Sequence, residues 1–126
     1  MTPATWKILL VEDSEADVVL GLRVLSQFPV TVRTAKDAAA AETALFDESN
    51  LLDLVLLDLS LPGVHGLDVL RKIKDDPRTR HLKVVIVTGN QAEKTVLECY
   101  RLRCDGVVTK PLTKESLAAI LEKFGF

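Results

Sequence analysis

The chain has 126 residues, 48% hydrophobic and 27% charged, which is the composition of one folded domain and excludes a disordered segment. Sixteen Lys and Arg against 18 Asp and Glu give a net charge of −2, without the basic surplus that general nucleic-acid binding requires, so no DNA partner is expected. No apolar run approaches the roughly 20 residues of a membrane helix, and Ile8-Leu9-Leu10-Val11 is too short for a signal-peptide core, so the expectation is a cytoplasmic protein with no membrane partner. Cys99 and Cys104 fit no common zinc spacing and read as reduced structural thiols.

In chain order, Trp6 to Val11 reads as a strand and Ser14 to Phe28 as a helix, with Ser14 as N-cap and Asp17 three residues on. Val30 to Thr34 alternates as a half-exposed strand does. Asp37 to Glu48 is a second helix, and Leu54 to Leu57 is a uniformly apolar strand. A loop with Pro62, Gly63 and Gly66 leads into a helix that Pro77 ends near Asp76. Val84 to Val87 is the fourth strand. Asn90 to Arg103 is a helix with Asn90 and Glu93 in capping-box spacing. Gly106 to Thr109 is the fifth strand, and Thr113 to Phe124 the last helix, with Leu117, Ile120, Leu121 and Phe124 on one stripe. Strand and helix thus alternate five times, which predicts an α/β fold, a doubly wound parallel sheet covered on both faces. The alternating second strand suits an edge, and the order 2-1-3-4-5 satisfies this with right-handed crossovers. This is a flavodoxin-like three-layer sandwich in a single domain spanning residues 1–126.

Ligands of such sheets bind beyond the carboxyl ends of the strands, at the switch point between strands one and three. Strand one runs into Glu12-Asp13, strand three into Asp58, strand four into Thr88-Gly89 and strand five into Thr109-Lys110-Pro111. Three carboxylates, a hydroxyl and an ammonium therefore converge on one edge. Like charges ~4 Å apart repel by about 4 kcal/mol at an effective dielectric near 20, so a proton or a cation has to relieve the cluster. An all-oxygen, half-open site suits Mg²⁺. Lys110 and Thr88 then stand where they can hold phosphoryl oxygens, and Gly89 lets backbone come close to such a ligand.

These residues spell a family. The chain resembles a response-regulator receiver domain of the chemotaxis-regulator type in Ile8-Leu9-Leu10-Val11-Glu12-Asp13, in Leu56-Leu57-Asp58-Leu59-Ser60-Leu61-Pro62-Gly63-Val64-His65-Gly66, in Val87-Thr88-Gly89 and in Val108-Thr109-Lys110-Pro111. The resemblance implies that Asp58 is a phosphoacceptor, attacking a phosphohistidine on a histidine kinase or phosphotransfer protein. It implies Mg²⁺ held by Asp13, Asp58 and the backbone carbonyl of Ser60, with Glu12 binding directly or through water. Lys110 would neutralise the phosphoryl charge, Thr88 would donate its hydroxyl after phosphorylation, and a cis peptide would precede Pro111. Such a protein assists only its own phosphorylation and dephosphorylation and is not an enzyme in the usual sense. The family usually carries Tyr or Phe three positions before the lysine, where this chain has Val107, so output by the usual aromatic switch is in doubt. Gly89, often Ala in the family, opens the site and implies fairly quick phosphoryl loss. Ser60 and Asn90 stand at two further rate-tuning positions.

The first helix is more apolar than one core stripe requires. Ala16, Leu20, Val24 and Phe28 form the expected inner row, while Val18, Val19, Leu22 and Leu25 widen the arc. That excess reads either as deeper burial against the last helix or as a kinase-docking surface centred on Val18 and Leu22. A homodimer through the fourth helix, fifth strand and fifth helix stays open. His65 and His81 fall in loops without an evident partner. No output domain follows the last helix, which suggests a stand-alone receiver. The pattern Val11-Glu12-Asp13-Ser14-Glu15-Ala16-Asp17 is similar to regulators that accompany phytochrome-type kinases. A dehalogenase-type phosphatase would need a second Asp at Ser60, and a flavodoxin would need a phosphate loop where Glu12-Asp13 repels phosphate. The alternative that remains is a non-phosphorylated pseudo-receiver acting as a protein-binding module.

Overall fold

The structure is a computed structural model that describes residues 5–47, 51–61, 64–89 and 93–125. Its strands are apolar runs too short for helices and rich in Val, Ile and Leu: β1 (Trp6–Val11), β2 (Val30–Ala35), β3 (Leu54–Asp58), β6 (Lys83–Thr88) and β7 (Gly106–Thr109). They form one sheet in the order β2-β1-β3-β6-β7, with every neighbouring pair parallel. Counting these five strands alone, the order is the expected 2-1-3-4-5. The helices are α1 (Glu15–Leu25), α2 (Ala38–Leu45), α3 (Gly66–Asp75), α4 (Glu93–Arg101) and α5 (Lys114–Lys123). Within the segment expected to be a plain loop, β4 (Ser60–Leu61) and β5 (Val64–His65) pair as a two-residue antiparallel ladder.

Successive strand residues point to opposite faces, and the sheet therefore divides two cores. Leu9, Val11, Val55, Leu57, Val84 and Ile86 face one core, with Ala41, Ala44, Val69, Leu70, Ile73 and Cys99 from α2, α3 and α4. Ile8, Leu10, Leu54, Leu56, Val85 and Val87 face the other, with Leu25 from α1 and Leu117, Ile120 and Leu121 from α5. All five residues of β3 are buried, as a central strand covered on both faces requires. In the edge strand β2 three of six residues are half-buried and two exposed, and Arg33 on it pairs with Asp47 at 3.0 Å.

The caps follow the sequence closely. Ser14, Asp37 and Thr113 each accept a hydrogen bond from the backbone N–H three residues on, and Thr113 and Ser116 complete a capping box. The expected cap of α4 at Asn90 lies outside the described residues. The inner row of α1 differs from expectation. Gly21 and Leu25 face the sheet, with Val18, Val24 and Phe28 half-buried, while Ala16 is exposed and Leu20 keeps 46% of its surface. A Cβ on Gly21 would lie 3.2 Å from Leu10 Cδ2, a tight contact to which the leucine would have to yield, so α1 rides close on β1. A search for large apolar residues passes over that glycine and rotates the inner row.

On the opposite side, the buried ammonium of Lys74 donates to the Leu82 carbonyl at 2.8 Å and to Asp105 Oδ2 at 2.9 Å. The same Asp105 oxygen accepts from the Val84 N–H at 2.8 Å. This ties α3 to the start of β6 and to the turn before β7. Cys99 and Cys104 are free and buried, and burial pushes the Cys104 thiol up to about 11. Removing the lysine leaves a half-satisfied carboxylate behind. We expect Lys74→Ala to lower the unfolding free energy by about 3 kcal/mol, read from the shift of the urea midpoint.

Candidate functional site

The register of the sheet builds the site. Val11 pairs with Leu57, so the residues that follow, Glu12 and Asp58, leave the sheet side by side. The Glu12 N–H still bonds the Ala35 carbonyl at 2.9 Å, which holds this residue to the sheet while Asp13 turns out to solvent. Carboxylate oxygens of Glu12, Asp13 and Asp58 come within 4.8 Å of one another. Glu12 and Asp58 are 5% and 4% exposed, which is unusual for carboxylates and costly unless they are paired.

Lys110 supplies that pairing. Its Nζ lies 2.6 Å from Glu12 Oε1, 3.0 Å from Asp17 Oδ2 and 3.3 Å from Asp58 Oδ2. Its backbone N–H bonds the Thr88 carbonyl at 2.9 Å, and the Lys110-Pro111 peptide is cis, as the resemblance implied. Burial alone would lower the lysine, but the bonds to Glu12 and Asp17 and the charge of Asp58 outweigh it and hold the ammonium above its ordinary range. Burial pushes the Glu12 carboxyl up to about 7, and the neighbouring Asp58 adds to this while Lys110 opposes it. The Ser14 N–H donates to the other Glu12 oxygen at 3.2 Å, and the Ser60 N–H donates to Asp58 Oδ1 at 3.1 Å.

Thr88 ends β6, one residue past the register partner of Asp58, and is 4% exposed. Gly89 follows it, with nothing within 4 Å of where a Cβ would stand. Gly66 is fixed by contact: a Cβ there would lie 2.5 Å from Leu59 Cα and 2.7 Å from the Asp58 carbonyl oxygen. Only glycine lets the start of α3 pass under the chain that presents Asp58.

The expected site residues Glu12, Asp13, Asp58 and Lys110 are thus brought together, with Thr88 and Ser60 on the flanking backbone. Asp17 joins them unannounced, because its spacing from Ser14 suggests only helix capping. It raises the tally to four carboxylates against one ammonium, three net negative charges when all are ionised. The donor set is all oxygen, compact and open on the Asp13 side, which suits a hard divalent cation and not a soft one. Among the described residues, no helix is long and apolar enough to cross a membrane.

Residues 8–122 match the response regulator receiver domain. Response regulator PleD of Caulobacter vibrioides is 35% identical over 113 residues, 90% of this chain but 24% of its own length, so this chain spans about a quarter of that relative. The structure of the bacteriophytochrome response regulator AtBRR superposes with a TM-score of 0.85 at 32% identity, covering 98% of this chain and 94% of that one. The Mn²⁺-bound form of response regulator Rcp1 superposes with a TM-score of 0.79 at 32% identity, covering 94% and 93%. A sheet order, an acidic edge and a match along nearly the whole sequence agree, and the chain belongs to the response regulator receiver domain family of two-component signalling.

Proposed function

We propose that this protein is a phosphorylated receiver in which Asp58 accepts a phosphoryl group from the phosphohistidine of a sensor kinase or phosphotransfer protein. The observation that carries this reading is the placement of Asp58: buried, 3.3 Å from Lys110 Nζ and within 4.8 Å of Glu12 and Asp13. A carboxylate oxygen of Asp58 attacks phosphorus, a P–O bond forms, the P–N bond breaks, and the imidazole nitrogen leaves with the electron pair. The protein's part is positioning and charge stabilisation. Ser60 N–H fixes one Asp58 oxygen through its 3.1 Å bond and leaves the other toward Lys110. Lys110 neutralises the incoming phosphoryl oxygens, and the Thr88 hydroxyl bonds one of them once the group is attached.

Asp13, Asp58, Glu12 and the carbonyl of Ser60 would hold Mg²⁺. When bound, the ion offsets the carboxylate charge and offers a coordination position to a phosphoryl oxygen. That the similar response regulator Rcp1 has an Mn²⁺-bound form supports a divalent ion as the kind of cation involved.

The partner surface we assign to α1. Val19, Leu20 and Leu22 keep 52%, 46% and 38% of their surface, and Val18 lies half-buried beside them. Leu20 also lines the small cavity that Asp17, Asp58 and Lys110 share, so a kinase docked on this helix brings its histidine to the phosphoacceptor. Val107 lines a separate groove of about 330 Å³ with Tyr100 and Phe124, where no aromatic ring on β7 is available to relay the event.

Three outcomes test the reading. Intact mass after incubation with acetyl phosphate gains one phosphoryl group, the gain requires Mg²⁺, and Asp58→Asn abolishes it. No gain by folded protein would favour the non-phosphorylated binding module instead. Gly89→Val, whose Cβ would have nothing within 4 Å among the described residues, shields the site from water and prolongs phosphoryl half-life several-fold. A half-life equal to that of the unaltered protein would contradict the open-site account. Leu22→Glu leaves labelling by acetyl phosphate intact and cuts transfer from the cognate kinase at least about tenfold, as expected for a charge in an apolar interface.

A further inference from the structure

The ammonium of Lys110 has three N–H groups, and three carboxylates meet it, from Glu12, Asp17 and Asp58. Two of these belong to the acidic cluster that would engage a cation. The third does not. Asp17 stands in the first turn of α1 with its side chain 39% exposed, 3.0 Å from Lys110 Nζ. Its reach follows the close seat of α1: a Cβ on Gly21 would stand 3.2 Å from Leu10 Cδ2, and the first turn meets Lys110 just past the end of β7. Asp17, Lys110, Glu12 and Asp58 also share the wall of a cavity of about 30 Å³, room for about one water. The ammonium head can therefore shift between oxygens without repacking the apolar side chains around it.

We propose that Asp17 is a positioning residue for phosphoryl transfer, holding the Lys110 ammonium over Asp58 after Glu12 and Asp58 have been drawn to a cation. This rests on the reading of Asp58 as phosphoacceptor. A lysine carries its charge on a flexible four-carbon stem, and Lys110 keeps 22% of its side chain in solvent. With the other two acceptors committed, the Asp17 bond is the one that keeps the head from swinging out to water. Asp17 touches neither phosphorus nor the leaving group, and acts through Lys110.

The test uses the full chain as unaltered protein, Asp17→Asn, Asp17→Glu, Lys110→Ala and the Asp17→Asn/Lys110→Ala pair. Asp17→Asn keeps the backbone N–H that bonds Ser14 Oγ, so the helix start is retained. With acetyl phosphate and Mg²⁺, Asp17→Asn lowers the limiting labelling rate about tenfold while the half-saturating acetyl phosphate concentration changes little. Asp17→Glu restores most of the rate, and Asp17→Asn costs nothing further once Lys110 is Ala. Independently of activity, the Mg²⁺-loaded protein shows a ¹H–¹⁵N correlation for the Lys110 ammonium, identified by its loss in Lys110→Ala, and Asp17→Asn abolishes it through exchange with water. A full rate in Asp17→Asn, a further tenfold loss in the Lys110→Ala background, or a retained ammonium signal would each overturn the proposal. If the unaltered protein takes up no phosphoryl group, the phosphoacceptor reading fails first and the positioning role falls with it, whereas a labelled protein indifferent to Asp17→Asn defeats the positioning role alone.

Discussion

The contact of Lys110 with Glu12, Asp17 and Asp58 is the constraint around which the rest of the molecule is arranged. Carboxylates gathered at the end of a buried sheet repel one another by about 4 kcal/mol per close pair at an effective dielectric near 20, and burial withdraws the water that would screen them. One ammonium cannot cancel four negative charges. Glu12 carries the imbalance, with its carboxyl pushed by burial up to about 7. An edge in this condition suits a divalent cation, which would offset two of its three net negative charges. The unfavourable electrostatics of the resting site and its chemical readiness have the same origin.

Holding such a cluster in place requires a rigid frame, and the parallel sheet provides one. The β1–β3 register sets Glu12 beside Asp58, and the β6–β7 register pairs Thr88 with Thr109, directly before Lys110. None of these placements relies on a long flexible loop. Where loop backbone does pass close by, at Leu59 and Gly66, the absence of a side chain on Gly66 permits the approach.

Much of this was legible in the sequence because strand ends are legible. A buried strand is an uninterrupted apolar run, its end is the first polar residue, and in a parallel sheet all such ends lie on one edge. Glu12, Asp58 and Thr88 follow from that rule directly, and Asp13 and Lys110 stand one residue further on. Asp17 does not, because it lies on a helix, 93 residues from Lys110, and local spacing explains it adequately as part of a cap. The inner row of α1 is legible only in part, at Val24 and Phe28, for a related reason. Apolar periodicity rewards bulk, and the position nearest the sheet is Gly21, chosen for having none. The Ser60–His65 ladder is short enough that turn residues conceal its pairing.

The division of the interior into two cores has a consequence for how such a protein can diversify. The α1 and α5 helices rest on one body of apolar side chains, α2, α3 and α4 on another, and the strands are the wall between them. Substitutions that refit one surface to a new partner need not disturb packing beneath the other. The surfaces on the two sides can then drift separately over evolutionary time, while the polar rim where the strands emerge is the part that both sides must keep in common.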